Sequence, residues 1–260
     1  MAGVVPATRN ESAARLVNEV ILKTLRVGDV DRFLFNRALN ELDALQKSDV
    51  IDAESTRALL LGVAGRYEEA DAALANAERN GGRFEAQEAR MKVLLNRMHF
   101  TRAASVATEL LKTPGESLAG LIAPALGGGC FRACAGAIAA SVKAGRVAQA
   151  TKDFAVAKRA AQALDQAKIP DEIVWKMLDE VGSIAERDSL LWMNDMPDLS
   201  VLLEEEGGPL VRMAFRVAVS PEQACEMNLE LIDRLVERDL HPFGVSVGFI
   251  GHPVREAALA

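Results

Sequence analysis

The chain has 260 residues and a formal net charge of -7, and its isoelectric point near 5.2 argues against a nucleic-acid-binding protein, which usually carries a basic surface. Apolar residues make up 50% and aromatic residues only 5%, a composition that favours closely packed helices over a large sheet. Three cysteines cannot all pair within one chain, which excludes a disulfide framework. Residues 1–11 lack a secretory signal, so we expect a cytoplasmic protein.

Helical periodicity extends from residue 10 to about residue 196, and a short pattern repeats within it. The full pattern joins a glycine, a large apolar residue two positions later and a small residue three positions after that. The glycine tolerates the left-handed backbone that ends a helix, and the small residue lets two helices touch. The copies are Gly65-Arg66-Tyr67-Glu68-Glu69-Ala70 with Leu74 and Ala77, Gly145-Arg146-Val147-Ala148-Gln149-Ala150 with Phe154 and Ala157, a third with Phe100, Ala103, Ala107 and Leu110, and a weak fourth with Gly28, Val30 and Phe33.

This pattern resembles the second helix of the tetratricopeptide (TPR) family, Gly-x-Tyr-x-x-Ala-x-x-x-Phe-x-x-Ala. Tyr67 and Phe100 are 33 residues apart, close to the family's repeat of about 34. Ala58 and Leu61 fall at the small and large positions of its first helix. The interval from Phe100 to Val147 is 47 residues, so the third unit is expected to contain an insertion or an extra half-turn.

The TPR resemblance covers residues 28–165 and implies antiparallel helix-pair repeats. No repeat has the family's early Trp, and the terminal Pro is absent except at Pro114. An irregular α-helical repeat or bundle is the alternative interpretation of the same periodicity.

The segment between Glu116 and Lys143 carries a single charge, Arg132, and is long enough to raise the question of a membrane span. It also contains Pro124 and the run Gly127-Gly128-Gly129, which break helices. We therefore predict two buried helices separated at the glycines, and no membrane association. The glycine run is not followed by Lys and Ser or Thr, nor preceded by a strand, so it does not predict a phosphate-binding loop.

After a short amphipathic piece, residues 199–206, and the sequence Gly207-Gly208-Pro209, the spacing of apolar residues changes. It changes from the period of a helix to the two-residue period of a strand. This change predicts a linker that divides an α-helical repeat domain, residues 1–206, from a small α/β module, residues 207–260. Alternation from residue 211 to 219 and from 243 to 250 predicts two strands. Between them, Ser220-Pro221-Glu222-Gln223 predicts the start of a helix lined by Ala224, Met227, Leu231, Ile232 and Leu235.

The predicted fold class is thus mainly α: TPR-like antiparallel helix pairs followed by a small C-terminal β-α-β module. Two strands and one helix bury little surface, and an isolated two-stranded sheet is marginal. The module is therefore expected to pack on the helical region or to pair its sheet edge with a second copy. We favour a homodimer or a sheet-edge partner.

The sequence predicts no catalytic residue, metal site or cofactor. Cys130 and Cys134 are four apart and could supply two metal ligands, but the histidines are distant in sequence, so buried small hydrophobic residues explain both cysteines better. The same explanation is given to Cys225. His99 is expected to be structural at a helix corner. A weaker candidate is a polar patch in the module, for which solvated turn and sheet-face residues are the simpler explanation; its members would be His241, His252, Arg212 and Arg216.

A helical repeat stacks its units into a surface with a groove, and the TPR resemblance implies that such a groove holds a peptide or helix of another protein. We therefore predict a protein–protein interaction scaffold or adaptor, with the C-terminal module adding dimerisation or a second contact. The inward positions near Ser55 and Leu59 lack the polar clamp that some TPR domains use for a terminal carboxylate. One alternative is an antitoxin, immunity or regulatory protein that neutralises a partner protein. A lesser one is an enzyme with a site between the two domains.

Overall fold

The computed structural model describes residues 9–27, 29–113, 118, 120–146, 152–188, 197–204 and 208–251. The chain forms two compact units, Met1–Val93 and Leu94–Ala260. The elements in chain order are α1 (Arg9–Val27), α2 (Arg32–Gln46), α3 (Val50–Val63), α4 (Tyr67–Arg79), α5 (Arg83–Asn96), α6 (Phe100–Leu111), α7 (Ile122–Gly127), α8 (Phe131–Lys143), α9 (Lys152–Ala167), α10 (Asp171–Arg187), β1 (Asp198–Glu204), β2 (Gly208–Val217), α11 (Pro221–Glu237) and β3 (Val245–Gly251). The prediction of a mainly α chain with a small C-terminal β module is confirmed.

Seven helix ends among the described residues share one backbone arrangement, and the corners of the repeated pattern are three of them. Gly65, Met98 and Gly145 have φ values of +71°, +56° and +70°. The residue after each donates its N–H at 2.9 Å to the carbonyl oxygen five residues earlier; the pairs are Arg66 to Leu61, His99 to Leu94 and Arg146 to Ser141. This left-handed ending satisfies the last carbonyl groups of a helix. The prediction for Gly65 and Gly145 is confirmed, and Met98 adopts the same conformation where the other two segments have glycine.

The weak fourth copy of the pattern does not form such a crossing. Gly28 lies outside the described residues. Phe33, where the other copies have alanine, is 76% exposed. In contrast, Ala70, Ala77 and Ala103 are at most 1% exposed, as a close helix approach requires.

The insertion predicted between Phe100 and Val147 contains the short helix α7. Helix α8 follows it after a turn in which Gly129 has a φ of +78°. Leu126 of α7 and both Phe131 and Cys134 of α8 are completely buried. The question raised for residues 117–142 is therefore resolved, within the part that the structure describes, as two packed helices. No helix in the described ranges combines the length and the apolar character needed to cross a bilayer.

The C-terminal sheet has three strands in the order β1-β2-β3. Strands β2 and β3 are parallel and flank α11, with Val211 opposite Val245, which confirms the predicted β-α-β unit. Strand β1 pairs antiparallel with β2 and was missed, because residues 199–206 were expected to form only a short amphipathic piece. Gly208 and Pro209, expected in a linker, belong to β2, and Glu204 pairs with Gly208 across residues 205–207. The division into domains at residues 206 and 207 stays a prediction.

One face of the sheet packs on helices of the second unit. Val211, Met213, Phe215 and Val217 alternate along β2 and are all 0% exposed. The Phe215 ring meets Phe100 of α6 edge to face, with ring centroids 5.4 Å apart. Of the two ways in which the small module was expected to complete its core, packing on the helical region is therefore observed.

Candidate interaction surfaces of the second unit

A cavity of about 890 Å³ opens between α6, α8 and the corner that joins α9 to α10. Small residues of α8 line one side, and apolar and aromatic residues line the other. The small residues are Ala133, Gly136, Ala137 and Ala140, and the larger ones include Leu111, Ile169 and Trp175. Trp175 donates its indole N–H to the Gly129 carbonyl oxygen at 3.2 Å, which fixes the ring at the mouth of the cavity.

At the edge of this cavity, Arg132 forms hydrogen bonds with two carboxylates and one backbone carbonyl oxygen. Its guanidinium donates to Asp165 at 2.8 Å, to the Ile169 carbonyl oxygen at 2.9 Å and to Asp171. Burial raises the pKa of the Asp171 carboxyl, although the charge of Arg132 acts in the opposite direction. The hydrogen bonds of Arg132 therefore connect α8 to the α9–α10 corner. The Arg132 donors and the acidic acceptors are used in this connection.

The two cysteines that were considered as metal ligands are buried. Burial raises the pKa of Cys130 to about 12 and that of Cys134 well above its usual value. Their sulfur atoms lie 3.8 Å from the Ala104 carbonyl oxygen and 3.9 Å from the Ile122 carbonyl oxygen. The prediction that both are small buried residues is confirmed. Among the described residues, no group of three or more His, Cys, Asp or Glu is placed to hold a metal ion.

The described members of the candidate polar patch are exposed, and two of them lie beside an aspartate. Arg216 forms a double ion pair with Asp198 of β1, with an Nη2–Oδ1 distance of 2.9 Å. His241 Nδ1 lies 3.9 Å from Asp239 Oδ1. Arg212 is exposed, and His252 lies outside the described residues. The interpretation as solvated turn and sheet-face residues fits these positions better than a binding cluster.

Helix α11 exposes a row of apolar side chains that the sequence analysis did not recognise. Leu229 is 60% exposed, and Ile232 and Val236 are each 56% exposed. Cys225, one turn earlier, is also exposed, so the prediction of a buried Cys225 was wrong. The spacing of four, three and four residues places the four side chains along one face for about 17 Å. We call these four residues the α11 stripe.

The core of the module uses a different face of α11. Ala224, Met227, Leu231 and Leu235 are buried against the rest of the second unit. The prediction that Ile232 belongs to this set was wrong. Its spacing from Leu229 and Val236, three and four residues, was the signal of a second apolar face, and it was overlooked because Ile232 follows Leu231 directly.

Ion pairs fix α11 on α10, so the stripe is held in a defined orientation. Arg238 lies 2.7 Å from the buried carboxylate of Glu180, and Arg187 lies 2.6 Å from Glu230. Arg234 of α11 donates to the Ser183 hydroxyl oxygen of α10 at 3.1 Å. Several charged hydrogen bonds between two helices restrict their sliding, although each exposed pair alone contributes little to stability.

A side-chain amide next to the stripe covers part of the neighbouring sheet edge. Asn228 donates its Nδ2 hydrogen to the Phe249 carbonyl oxygen at 2.9 Å and accepts from the Phe249 N–H at 2.8 Å. The amide of Asn228 thus makes at Phe249 the two hydrogen bonds that a further strand would make on the outer edge of β3.

Acidic side chains border the stripe on its other side. Glu226, Asp233 and Glu237 are exposed, and helical geometry places them beside Leu229 and Val236. None of these three carboxylates forms an ion pair with a residue that the structure describes. We call the three residues the acidic border.

No protein-family model matches the chain, and neither a curated protein nor a solved structure does. The α11 stripe therefore has to be interpreted from its own chemistry. Large apolar side chains that adjoin one another on an exposed helix face are typical of surfaces that bind another protein.

Proposed function

We propose that this chain is a protein–protein interaction scaffold or adaptor that binds a segment of another protein on the α11 stripe. The observation that carries the proposal is the exposure of Leu229, Ile232 and Val236, each more than half accessible on one face of one helix. Burying such a side chain is worth about 1.5–3 kcal/mol, so a partner that covers all three gains a substantial part of its binding free energy from them.

The proposal includes a TPR-like arrangement of the helical part. The 33-residue interval between the corners at Gly65 and Met98 supports it. So does the burial of Ala70 and Ala103, which follow these two corners. Its cytoplasmic setting is supported by the free thiols of Cys130, Cys134 and Cys225, which are typical of a reducing compartment.

A regulatory protein that neutralises a basic partner is a second candidate function. The acidic border favours it, because Glu226, Asp233 and Glu237 present negative charge beside an apolar contact surface. The two candidates differ in the partner: a neutralising protein is expected to form a tight 1:1 complex with one basic protein, and an adaptor to bring two or more proteins together.

Affinity purification of the full chain from its native cells tests the proposed function. A stripe variant would carry Leu229→Gln, Ile232→Gln and Val236→Gln, and a control would carry Phe33→Gln, which also replaces an exposed large apolar residue. Glutamine keeps high helix propensity, and exposed positions tolerate such changes, so both variants are expected to fold. The expected result is a stoichiometric partner that the control retains and the stripe variant loses by at least tenfold. Equal recovery on all three proteins, or recovery of a bare monomer from each, contradicts the proposal.

A further inference from the structure

We infer that the partner segment seated on the α11 stripe is an amphipathic helix with a basic flank. This inference rests on the proposed function and extends it by naming the chemistry of the partner. It follows from three properties of the surface: the spacing of the stripe, the covered edge of β3 and the charge of the acidic border.

The spacing of the stripe fits a helix. Cys225, Leu229, Ile232 and Val236 follow the alternation of four and three residues that lets two helices interlock their side chains. The stripe is about three helical turns long, so a partner helix of about 11–14 residues would cover it. A partner helix would present apolar residues at the same spacing.

An added strand fits this surface poorly. The edge of β3 lies beside the stripe, and strand addition requires free backbone N–H and C=O groups along that edge. Asn228 occupies both groups of Phe249 with its side-chain amide. A strand would have to displace these two hydrogen bonds before it could pair with the middle of β3.

The acidic border selects a basic partner. Glu226, Asp233 and Glu237 lack ion-pair partners among the described residues, so their charges are free to attract Lys or Arg on a docked helix. Complementary charge at the rim of a contact raises the association rate and excludes partners of the wrong sign.

The same charge disfavours a second copy of this chain. With Leu229 and Ile232 at the central positions of a heptad, Glu226 and Asp233 fall at one flanking position, and Asn228 at the other. An antiparallel pair of α11 helices would place acidic flank against acidic flank. A parallel pair would place the acidic flank of each helix against the Asn228 side of the other. The Asn228 amide is uncharged and already bound to β3, so it does not compensate the acidic charge.

Two synthetic helical peptides of 18 residues test the inference on the full chain. Both carry Leu at heptad spacing; the basic peptide has Lys and Arg at the flanking positions, and the acidic peptide has Glu there. Affinity is measured by fluorescence anisotropy at two salt concentrations. Protection of the exposed Cys225 thiol from a disulfide reagent locates the bound peptide on the stripe.

We expect the basic peptide to bind at least ten times more tightly than the acidic one, to lose affinity as salt increases and to protect Cys225. Glu226→Lys with Asp233→Lys should remove or invert the preference, and the stripe variant should lose binding, whereas Phe33→Gln should not. Equal binding of both peptides, or binding without protection of Cys225, overturns the inference.

Three further outcomes separate this inference from the proposed function. If a cellular partner depends on the stripe but the peptides show no preference for positive charge, the inference fails and the proposed function stands. If light scattering shows a dimer that the stripe variant abolishes, the occupant is a second copy and the inference fails. If deletion of residues 252–260 increases peptide affinity more than tenfold, the chain's own C-terminal segment competes for the stripe, and the inference again fails.

Discussion

Replacement of Gly182 by alanine is expected to destabilise the second unit, although alanine is the better helix former. Gly182 lies within α10, where a Cβ atom would be 2.1 Å from the Met98 carbonyl oxygen and 3.0 Å from the Met98 Cβ. Met98 is held at a φ of +56° in the corner between α5 and α6. Because the nearest obstructing atom belongs to the backbone, it cannot be removed by a side-chain rotation, and α10 or the corner has to move.

The magnitude follows from two opposing effects. Gly-to-Ala replacement inside a helix normally stabilises by about 0.5–1 kcal/mol. Overpacking of a close contact costs about 1–3 kcal/mol, and the contact with a backbone oxygen places Gly182 at the upper end of that range. The net loss for Gly182→Ala is therefore about 2 kcal/mol, which corresponds to a Tm lower by about 4–8 °C in a unit of this size.

Gly136 offers a matched control. It lies within α8, is exposed, and a Cβ atom there would meet no atom within 4 Å. The same substitution, Gly136→Ala, is expected to stabilise by about 0.5–1 kcal/mol. Thermal and urea unfolding followed by tryptophan fluorescence reports on the second unit, to which both Trp175 and Trp192 belong. If Gly182→Ala proves neutral, or as stabilising as Gly136→Ala, then α10 does not approach the Met98 backbone as closely as the structure shows.

Three further predictions concern thiols, a helix cap and pH. In the native protein at pH 8, Cys225 should react rapidly with a disulfide reagent. Cys130 and Cys134 should react only after unfolding, because burial shields them and raises their pKa. Three fast thiols in the native state would contradict this prediction. Ser220→Ala should cost about 1 kcal/mol in urea unfolding, since the Ser220 hydroxyl oxygen accepts from the backbone N–H at position 223 at 3.2 Å; an unchanged midpoint would refute the cap. Burial lowers the pKa of His99, so the unfolded state binds its proton more readily and stability should fall as pH drops below about 6.5. His99→Gln should flatten that decline, and an identical pH profile would refute the reasoning.

Local signals in the sequence were sufficient for the mainly helical character of the chain and for the corners at Gly65 and Gly145, but not for the corner at Met98. The glycines at positions 65 and 145 impose a backbone conformation that depends on a few neighbouring residues, so the pattern predicted it directly. Strand β1 depends instead on pairing with β2, and its apolar Leu202 interrupts the alternation that identifies a strand. Gly208 and Pro209 resemble a linker in the sequence because Gly and Pro are rare inside strands, but both belong to β2.

The face that α11 presents to solvent could not be predicted for a different reason. Periodicity identifies Leu231 and Ile232 alike as apolar positions of a helix, but only the packing of α11 against the second unit decides which of them is covered. The residues of the α11 stripe can therefore be recognised in the sequence as apolar, but their common exposure on one face follows only from the fold. The role of Asn228 could not be predicted either, because its two hydrogen bonds to Phe249 join positions 21 residues apart in the sequence.

The apolar character of the α11 stripe is not required by the fold. The core beneath α11 is supplied by Ala224, Met227, Leu231 and Leu235, and polar residues at positions 229, 232 and 236 would leave that core intact. The inner face of the sheet does not depend on them either, since it is filled by β2 side chains such as Phe215, which packs on Phe100. Exposed apolar residues lower solubility and promote association. Three of them lie in heptad register on a helix that ion pairs hold on α10, and the core of the second unit does not explain them; this is the physical basis of the proposed partner site.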